Sequence, residues 1–509
     1  MENEVLIGID IGSTSLRCCV FDRKFNMLHI VTKPTKLIFT HYENQVNNTD
    51  VCWDANRLWD LVHAELIEIA MYVNEKKYHV AGLAISSVGC SLVILDQQGS
   101  ALYPIFRHFP RPSNLLDRYT NKLGENGFRN LTGYPLAPTS TAFTVAYLKE
   151  TSPRRLSKAC YLLPVSSFIA YKLTHEVTTD LSVGASFGFW DHPNSSWWKE
   201  YLDDMDLSAE SLGKVVNGGM FIGKILSEIS DQIKVLNDVP VFSGGHDYLC
   251  AGLAAGCFNQ DQLFNIDGTF EIMASFSHMP FIRSPNDNTR SITDIHIIPN
   301  VFSLMVERVG AGQIEWVINL LYSGNWGIIP WDEVFSSSEA SANTIIDNES
   351  FIPYVYGRLF PEFKDGVLGG FLGLSQNTTR EKLLKAAIIA SGYESKKMFD
   401  YQRKVSKRDF PRIVTVGGTT RNRPWIQTKA DILGKEIFVP GIDQPSGMGA
   451  AMLAAVGSGL CGSFDEAIEI SANLGGISYF PDMVQHHRYV KHYERTYQPL
   501  LDRYEANLS

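Results

Sequence analysis

An aspartate followed by glycine and hydroxyl residues stands near the start of the chain and has the composition of a phosphate and metal site. The stretch from Val5 to Asp22 reads VLIGIDIGSTSLRCCVFD, with Asp10 and the turn Gly12-Ser13-Thr14-Ser15 between two apolar runs. Two such runs joined by a tight turn predict a β-hairpin whose tip offers N–H and hydroxyl donors to phosphate. A carboxylate at the end of the first strand suits hydrated Mg²⁺. An ordinary N-terminal hairpin is the alternative interpretation.

The same pattern returns in the second half of the chain. Gln262–Ile266 is predicted as a strand, Asp267-Gly268-Thr269 as a turn and Phe270–Phe276 as a second strand. Asp-Gly between two apolar runs is a strong hairpin signal. Gly268 lies about half a chain length after Gly12, and two phosphate-type hairpins at that separation predict a duplicated fold with a ligand between its halves.

A further aspartate follows a glycine pair in the segment Gly244-Gly245-His246-Asp247. The segment connects a predicted strand, Pro240–Ser243, to a small-residue helix, Tyr248–Ala255. Glycines let a ligand approach the backbone closely, which favours a chemical role for Asp247. An aspartate at the start of a helix is also a favoured cap and dipole partner, and both roles are compatible.

These residues must be positioned by a large protein of alternating strands and helices. At 509 residues the chain exceeds a single hydrophobic core, so two large domains are expected. The alternation indicates an α/β architecture. The predicted helices are Asn56–Tyr72, Leu162–Leu173, Tyr248–Ala255, Glu315–Leu321, Glu381–Gln402, Trp425–Leu433, Gly447–Val456 and a closing helix within Asp482–Ser509; further strands are Val80–Ser86, Leu92–Asp96 and Arg412–Val416.

Composition and charge exclude several classes of protein. Apolar residues make up 45% and charged residues 20%, which is typical of soluble proteins. The net charge of −10 argues against nucleic-acid binding, and no run of about 18 apolar residues predicts a membrane span. The first strand begins by Val5 and leaves no room for a signal peptide. The eight cysteines form no CxxC pair, which predicts neither a zinc site nor a disulfide framework and favours a cytoplasmic location.

Five segments together resemble the FGGY family of carbohydrate kinases, whose fold is shared by actin, hexokinase and the heat-shock chaperone ATPases. The segments are GIDIGSTS at 8–15, GGHD at 244–247, DGT at 267–269, VGGTTRN at 416–422 and WIQTKADILG at 425–434. The resemblance implies an α/β fold of two actin-like (ribonuclease H-like) domains of duplicated topology, each on a mixed five-stranded sheet, with an interdomain cleft. We expect residues 1–256 to bind mainly the sugar and residues 257–509 mainly ATP.

The resemblance also implies ATP- and Mg²⁺-dependent phosphorylation of a hydroxyl of a small ketose, polyol or sugar acid. Asp247 is then the general base and contacts the substrate, and Asp10 holds Mg²⁺. Arg17 neutralises phosphate charge, unless it turns to a surface ion pair. The expected nucleotide-binding residues are Gly12, Ser13, Thr14, Ser15, Arg17, Gly268, Thr269, Gly312, Gly417, Gly418 and Asn422.

The sugar-facing segment departs from the family pattern. Xylulose kinases carry Gln-Met-His and glycerol kinases Gln-Arg-Glu where this chain has Val88-Gly89-Cys90, which lacks a strong hydrogen-bonding group. Because a site selects a polyol by pairing its hydroxyls, the sugar is not implied by the family. The cationic loop after it either lies exposed to solvent or supplies donors for an acid sugar such as gluconate. The expected substrate residues are Ser87, Cys90, Arg107 and His108, with Arg111 beside them.

Two other functions stay open at this stage. One is a degenerate relative that senses a sugar or nucleotide without turnover, which the altered sugar segment favours. The other is an assembling or chaperone-type ATPase, which the GGHD and WIQTKADILG segments disfavour. The expected partner is a small sugar or polyol, with no nucleic acid, no membrane and possibly a second copy of the chain.

Overall fold

The computed structural model describes residues 3–41, 51–106, 117–135, 140–229, 231–259, 261–284, 287–335, 349–364 and 366–506. The strands are β1 Glu4–Ile11, β2 Ser15–Asp22, β3 Met27–Pro34, β4 Phe39–His41, β5 Val51–Trp53, β6 His79–Ser87, β7 Leu92–Leu95, β8 Tyr161–Pro164, β9 Thr178–Asp180, β10 Trp190–Asp191, β11 Ser196–Trp197, β12 Lys214–Val216, β13 Phe221–Lys224, β14 Pro240–His246, β15 Leu263–Asp267, β16 Phe270–Ser277, β17 Ile292–Ile295, β18 Phe302–Val309, β19 Ser350–Ile352, β20 Gly370–Leu372, β21 Arg412–Val416, β22 Glu436–Pro440 and β23 Gly476–Tyr479. The helices are α1 Ala55–Lys76, α2 Asp117–Thr132, α3 Thr141–Thr151, α4 Pro153–Leu156, α5 Val165–Thr174, α6 Leu181–Gly184, α7 Lys199–Met205, α8 Asp247–Ala254, α9 Ala311–Tyr322, α10 Trp331–Phe335, α11 Arg380–Ser406, α12 Arg423–Leu433, α13 Pro445–Gly457, α14 Phe464–Ala472, α15 Met483–His492 and α16 Gln498–Ala506.

Two large mixed sheets repeat one topology. The first has the strand order β13-β14-β6-β1-β2-β3 and the second β17-β18-β16-β15-β21-β22-β23. In each, an antiparallel hairpin (β1–β2, β15–β16) leads to a third antiparallel strand and, on the other side, to two parallel strands. The predicted α/β fold of two domains with duplicated actin-like topology is therefore confirmed. The five strands expected in each sheet form the repeated unit. The predicted number of strands per sheet was wrong, because edge strands extend the two sheets to six and seven strands.

The opening strand is apolar throughout because both its faces are covered. Ile7, Ile9 and Ile11 lie in one core cluster with residues of α1, while Leu6 lies in a second cluster with residues of α13. A strand buried on both faces reads as a continuous apolar run rather than as an alternating one.

Helices α8 and α13 occupy equivalent places in the two repeats and pack against each other. α8 follows β14 in the first repeat, and α13 follows β22 in the second. Their approach is close: a methyl group built on Gly449 of α13 would lie 2.0 Å from the carbonyl oxygen of Cys250 in α8. α13 also packs on the first sheet, since a methyl group on Gly8 of β1 would lie 1.9 Å from the Gly447 carbonyl oxygen. A helix from the second half of the chain is thus packed on the first sheet. The expected division of sugar binding and ATP binding between residues 1–256 and 257–509 remains a prediction.

Two predicted elements differ from the structure. Leu162–Leu173 was expected to be one helix, but β8 occupies its first residues and α5 begins after Pro164. Proline cannot donate to a preceding turn, so it suits a helix start rather than a helix interior. Strand β14 runs on through the glycine pair to His246 instead of ending at Ser243. None of the helices in the described part of the chain is long and apolar enough to cross a membrane.

Candidate active site

Asp10 lies at the carboxyl end of β1, beside the ends of two parallel strands. It pairs with Ser86 of β6, which pairs in turn with Gly245 of β14. Ser86 Oγ donates to one carboxylate oxygen at 3.0 Å, and the guanidinium of Arg17 donates to the other at 3.0 Å. Burial raises the pKa of Asp10 to about 6, and the negative charge of Asp247 adds to this effect.

Arg17 therefore does not form a surface ion pair of the kind considered as its alternative role. It lies directly across the hairpin from Asp10, and its side chain is about one-third exposed while that of Asp10 is buried. The register of the hairpin explains the contact, because residues opposite each other in antiparallel strands have neighbouring side chains.

Asp247 is the first residue of α8, at the point where β14 ends. Its Oδ1 accepts from the Tyr248 N–H at 2.7 Å and from His246 Nδ1 at 2.9 Å, and the side chain remains 26% exposed. The carboxylate thus interacts with the helix start and still reaches solvent. Both roles weighed for Asp247 in the sequence are compatible with this geometry.

The glycine pair before Asp247 is required by protein packing. A methyl group on Gly244 would lie 1.9 Å from the Ile85 carbonyl oxygen, and one on Gly245 would lie 2.1 Å from the Ile297 side chain. Packing within the protein therefore already requires both glycines, and the approach of a ligand to this backbone remains a prediction.

A buried carboxylate, Asp180, supports the end of β14, and sequence reasoning missed it. Its two oxygens accept from Ser182 Oγ at 2.6 Å and Ser243 Oγ at 3.0 Å. Ser182 Oγ in turn accepts from the His246 N–H at 2.9 Å. The sequence shows only a short polar stretch here, Thr178-Thr179-Asp180, and spacing along the chain does not reveal the partners of Asp180.

The tip of the first hairpin exposes its hydroxyls. The Gly12 N–H donates to the Ser15 carbonyl at 3.1 Å and closes the turn. Thr35 fixes the other side, since its hydroxyl donates to the Ser13 carbonyl at 3.0 Å and its N–H to the Thr14 carbonyl at 3.1 Å. Ser13 and Thr14 are exposed. Their carbonyls are thus bonded within the protein, while the two residues themselves remain open to solvent.

The second tip is held by the start of α9. The Ala311 N–H donates to the Gly268 carbonyl at 2.8 Å, and the Gly312 N–H donates to the Thr269 carbonyl at 3.2 Å. Thr269 is exposed, whereas Gly312 is buried. Gly312 thus supports the tip in this structure, and its predicted contact with the nucleotide remains a prediction.

The predicted adenosine segment follows β21. Gly417 has φ 118°, and a methyl group on it would lie 2.4 Å from the Asp267 carbonyl oxygen, so only glycine fits. Gly418 is exposed, and no atom lies within 4 Å of a methyl group built on it. Asn422 caps α12 by accepting from the Trp425 N–H at 3.1 Å, which leaves its amide NH₂ for a ligand.

A buried ion cluster fixes the base of the second hairpin, and sequence reasoning missed it as well. Lys429 Nζ of α12 donates to Asn265 at 2.7 Å, to Asp267 at 2.8 Å and to Glu271. Arg308 Nε donates to the other oxygen of Glu271 at 2.7 Å. The paired cations lower the pKa of Glu271 to about 2 against the opposing effect of burial. The signal available in the sequence was a lysine within the WIQTKADILG segment.

The predicted substrate residues are only partly described. Ser87 is buried and its hydroxyl accepts from the Ser166 N–H at 3.3 Å. Cys90 is half-buried, with its N–H on Ser186 Oγ at 2.8 Å. The cationic residues Arg107, His108 and Arg111 lie outside the described residues. The substrate contacts of all five remain predictions.

The residues present fit a magnesium ion that arrives with a nucleotide. Within the described ranges no group of three or more His, Cys, Asp or Glu side chains could hold a metal by itself. Mg²⁺ needs only one or two carboxylates when phosphate oxygens and water complete its shell. Asp10 and Asp247 form such a pair, and their mutual repulsion is what a divalent cation would relieve.

Comparisons with known proteins identify the family of the chain. Models of the N-terminal and C-terminal domains of the FGGY family of carbohydrate kinases match residues 5–254 and 305–458. Xylulose kinase of Lactococcus lactis subsp. lactis is 24% identical, over 97% of this chain and 95% of that protein. L-fuculokinase of Escherichia coli (strain K12) is 22% identical, over 92% and 95%. The crystal structure of xylulose kinase from Rhodospirillum rubrum superposes with a TM-score of 0.83 at 19% identity, covering 98% of this chain and 100% of that one. Because the two domain models together match well over half of the residues, the chain belongs to the FGGY family of carbohydrate kinases.

Proposed function

We propose that this carbohydrate kinase transfers the γ-phosphate of ATP to a hydroxyl of a small ketose, polyol or sugar acid, with Asp247 as the general base. The observation that carries the proposal is the pair of carboxylates, Asp10 and Asp247, at the carboxyl ends of two parallel strands, β1 and β14, which are separated by β6. One is buried and bonded to Arg17, and the other is 26% exposed. Asp10 suits the binding of Mg²⁺, whose charge neutralises the phosphates, and Asp247 suits proton transfer from a bound sugar.

The reaction needs positioning more than covalent chemistry. The sugar hydroxyl attacks the γ-phosphorus while Asp247 accepts its proton, and ADP leaves. The bonds that Asp247 accepts from Tyr248 and His246 fix the direction of its carboxylate. Arg17 and the exposed tips of the two hairpins offer donors to the phosphates. Bound Mg²⁺, held by Asp10 through water, would neutralise charge on the phosphate oxygens.

Removal of the Asp247 carboxylate tests the role of the base. We expect Asp247→Ala to lower kcat by about 10²–10⁴-fold while ATP binding is kept, because a positioned base contributes that much. The control is Asp60→Asn, which changes an exposed carboxylate on α1 and should keep the wild-type rate. A near-normal rate in Asp247→Ala would exclude it as the base.

A coupled ADP-release screen tests the substrate class. The first compounds are D-xylulose and L-fuculose, the sugars named for the relatives, and D-gluconate, which a cationic loop would suit. Further ketoses, tetroses, polyols and aldonates follow. We expect turnover with at least one compound, at a rate above ATP hydrolysis without sugar. If none is turned over while ATP still binds, the chain is a sensor rather than a kinase.

A further inference from the structure

The imidazole of His246 occupies the place that a side chain on residue 89 would take. A methyl group built on Gly89 would lie 2.1 Å from His246 Nε2 and 2.9 Å and 3.0 Å from two ring carbons. The two strands bring these residues together, because His246 of β14 pairs with Ser87 at the end of β6. A glycine at residue 89 is therefore what gives the ring its space.

The ring is held on one side and uncommitted on the other. Nδ1 donates to Asp247 Oδ1 at 2.9 Å, since a carboxylate at neutral pH only accepts. The edge of the ring packs against Tyr248, with centroids 4.7 Å apart at 79°. Among the described residues Nε2 has no hydrogen-bond partner, and 11% of the side chain is exposed. One polar atom thus remains available beside both Asp247 and Gly89.

We propose that His246 Nε2 binds a hydroxyl of the carbohydrate and so supplies the hydrogen bond that the segment Val88–Cys90 lacks. The inference rests on the proposed function, because it needs the sugar to lie against Asp247. A hydroxyl both donates and accepts, so it can pair with Nε2 whether the ring is neutral and accepts there or is protonated and donates there. Nε2 lies on the far side of the ring from Asp247, so the hydroxyl that it binds is a different one from the hydroxyl that Asp247 deprotonates. His246 is then a specificity-determining residue.

Two substitutions of His246 separate its two contacts. In His246→Asn the amide nitrogen takes the place of Nδ1 and can still donate to Asp247, while the atom at Nε2 is lost. In His246→Gln the amide reaches the place of Nε2 instead. We expect His246→Asn to raise KM for the sugar at least tenfold, with kcat and KM for ATP within about threefold, because an unpaired hydroxyl weakens binding strongly. His246→Gln should recover a large part of the sugar affinity.

Gly89→Ala provides an independent test of the same contact. Its methyl group should displace the imidazole and raise KM for the sugar as His246→Asn does. In the His246→Asn background the same change should have a smaller further effect, since the shorter side chain lacks the atom at Nε2 that lies 2.1 Å from the methyl group. The control is Gly370→Ala in β20, where no atom lies within 4 Å of the added methyl group.

The outcomes distinguish this inference from the proposed function. All variants are measured with the sugar that the wild-type enzyme phosphorylates fastest in the ADP-release screen. Turnover that persists with an unchanged sugar KM in both His246→Asn and Gly89→Ala would overturn the inference alone. Equal losses in His246→Asn and His246→Gln would also overturn it, because a merely structural role does not depend on which nitrogen is kept. A wild-type enzyme without turnover of any sugar would overturn both.

Discussion

Lys429 shows how one buried charge can fix a ligand-binding turn. Its ammonium group is 3% exposed and lies among Asn265, Asp267 and Glu271, which belong to both strands of the second hairpin. The carboxylates raise the pKa of Lys429 against the opposing effect of burial, so the lysine stays charged. A charge taken out of water needs such partners, because its desolvation penalty is several kcal/mol. The exposed tip at Gly268 and Thr269 is thereby attached to helix α12.

Lys429→Met should destabilise the protein strongly. The substitution leaves Asp267 buried without its cation, and breaking a buried pair in this way costs about 3–5 kcal/mol. Denaturant unfolding measures the loss. The control is Lys435→Met, because Lys435 pairs with the exposed Asp409 and such pairs contribute under about 1 kcal/mol. Equal stability losses in the two variants would contradict the assigned role.

The residues that support the site could not be identified from the sequence. Asp10, Asp247 and the two tips follow local patterns, an apolar run ending in a carboxylate or in glycine and hydroxyls, which are visible in one dimension. Lys429 reaches its partners across more than 150 positions, and Asp180 meets Ser243 across 63. Such contacts depend on tertiary packing, and no spacing rule reports them. The family resemblance supplied roles for the residues in the motifs and none for their supports.

At the scale of elements, the hairpins were predictable and the buried runs were ambiguous. Two apolar runs joined by a short turn, at Gly12 or at Asp267-Gly268, favour a β-hairpin, and the structure contains both hairpins. Leu162–Leu173 is mostly apolar, so periodicity does not separate the strand from the helix that follows Pro164. The small residues of α13 allow close packing, and the structure identifies the neighbours as β1 and α8.

Two glycines of α13 should respond oppositely to alanine. In Gly449→Ala the methyl group meets the Cys250 carbonyl, which is backbone and cannot turn away, so the helices must separate. Overpacking of this kind costs about 1–3 kcal/mol. Gly447→Ala is the matched control two residues away, where the nearest atom is Cys19 Sγ at an ordinary 3.4 Å. There alanine should stabilise by up to about 1 kcal/mol through helix propensity. Thermal unfolding of the two variants measures the contrast, and equal shifts would contradict the close approach of α8 and α13.

At the scale of the whole molecule, the two repeats are joined by polar groups as well as by these helices. Asp294 of β17, in the second sheet, accepts from the Tyr248 hydroxyl of α8 at 2.5 Å and from the hydroxyl of Tyr134. The Thr293 N–H donates to the Gly133 carbonyl at 2.8 Å. Burial raises the pKa of Asp294, so the contact between the two repeats contains a carboxyl group that resists ionisation. Global stability therefore depends on pH through groups held in the interior.

Glu65 offers the clearest test of that dependence. It lies fully buried on α1, neither of its carboxylate oxygens has a hydrogen-bond partner among the described residues, and burial raises its pKa to about 8. The folded state therefore keeps a proton that the unfolded chain has lost above about pH 4.5, and stability falls as pH rises toward 8.

His192 and His296, whose pKa values burial lowers to about 4 and about 3, act in the opposite direction, but only below about pH 6.5. The pKa of His246 is raised by its bond to Asp247 against the opposing effect of burial, so this residue also lowers stability above pH 6.5, and does so in both proteins. From pH 6.5 to 8 we expect the free energy of unfolding to fall by roughly 1.5 kcal/mol more in the wild-type protein than in Glu65→Gln. The control is Glu75→Gln, an exposed partner of Lys76 on the same helix, which should keep the wild-type slope. Denaturation curves at several pH values measure the difference, and a wild-type slope in Glu65→Gln would show that Glu65 is already ionised in the folded protein.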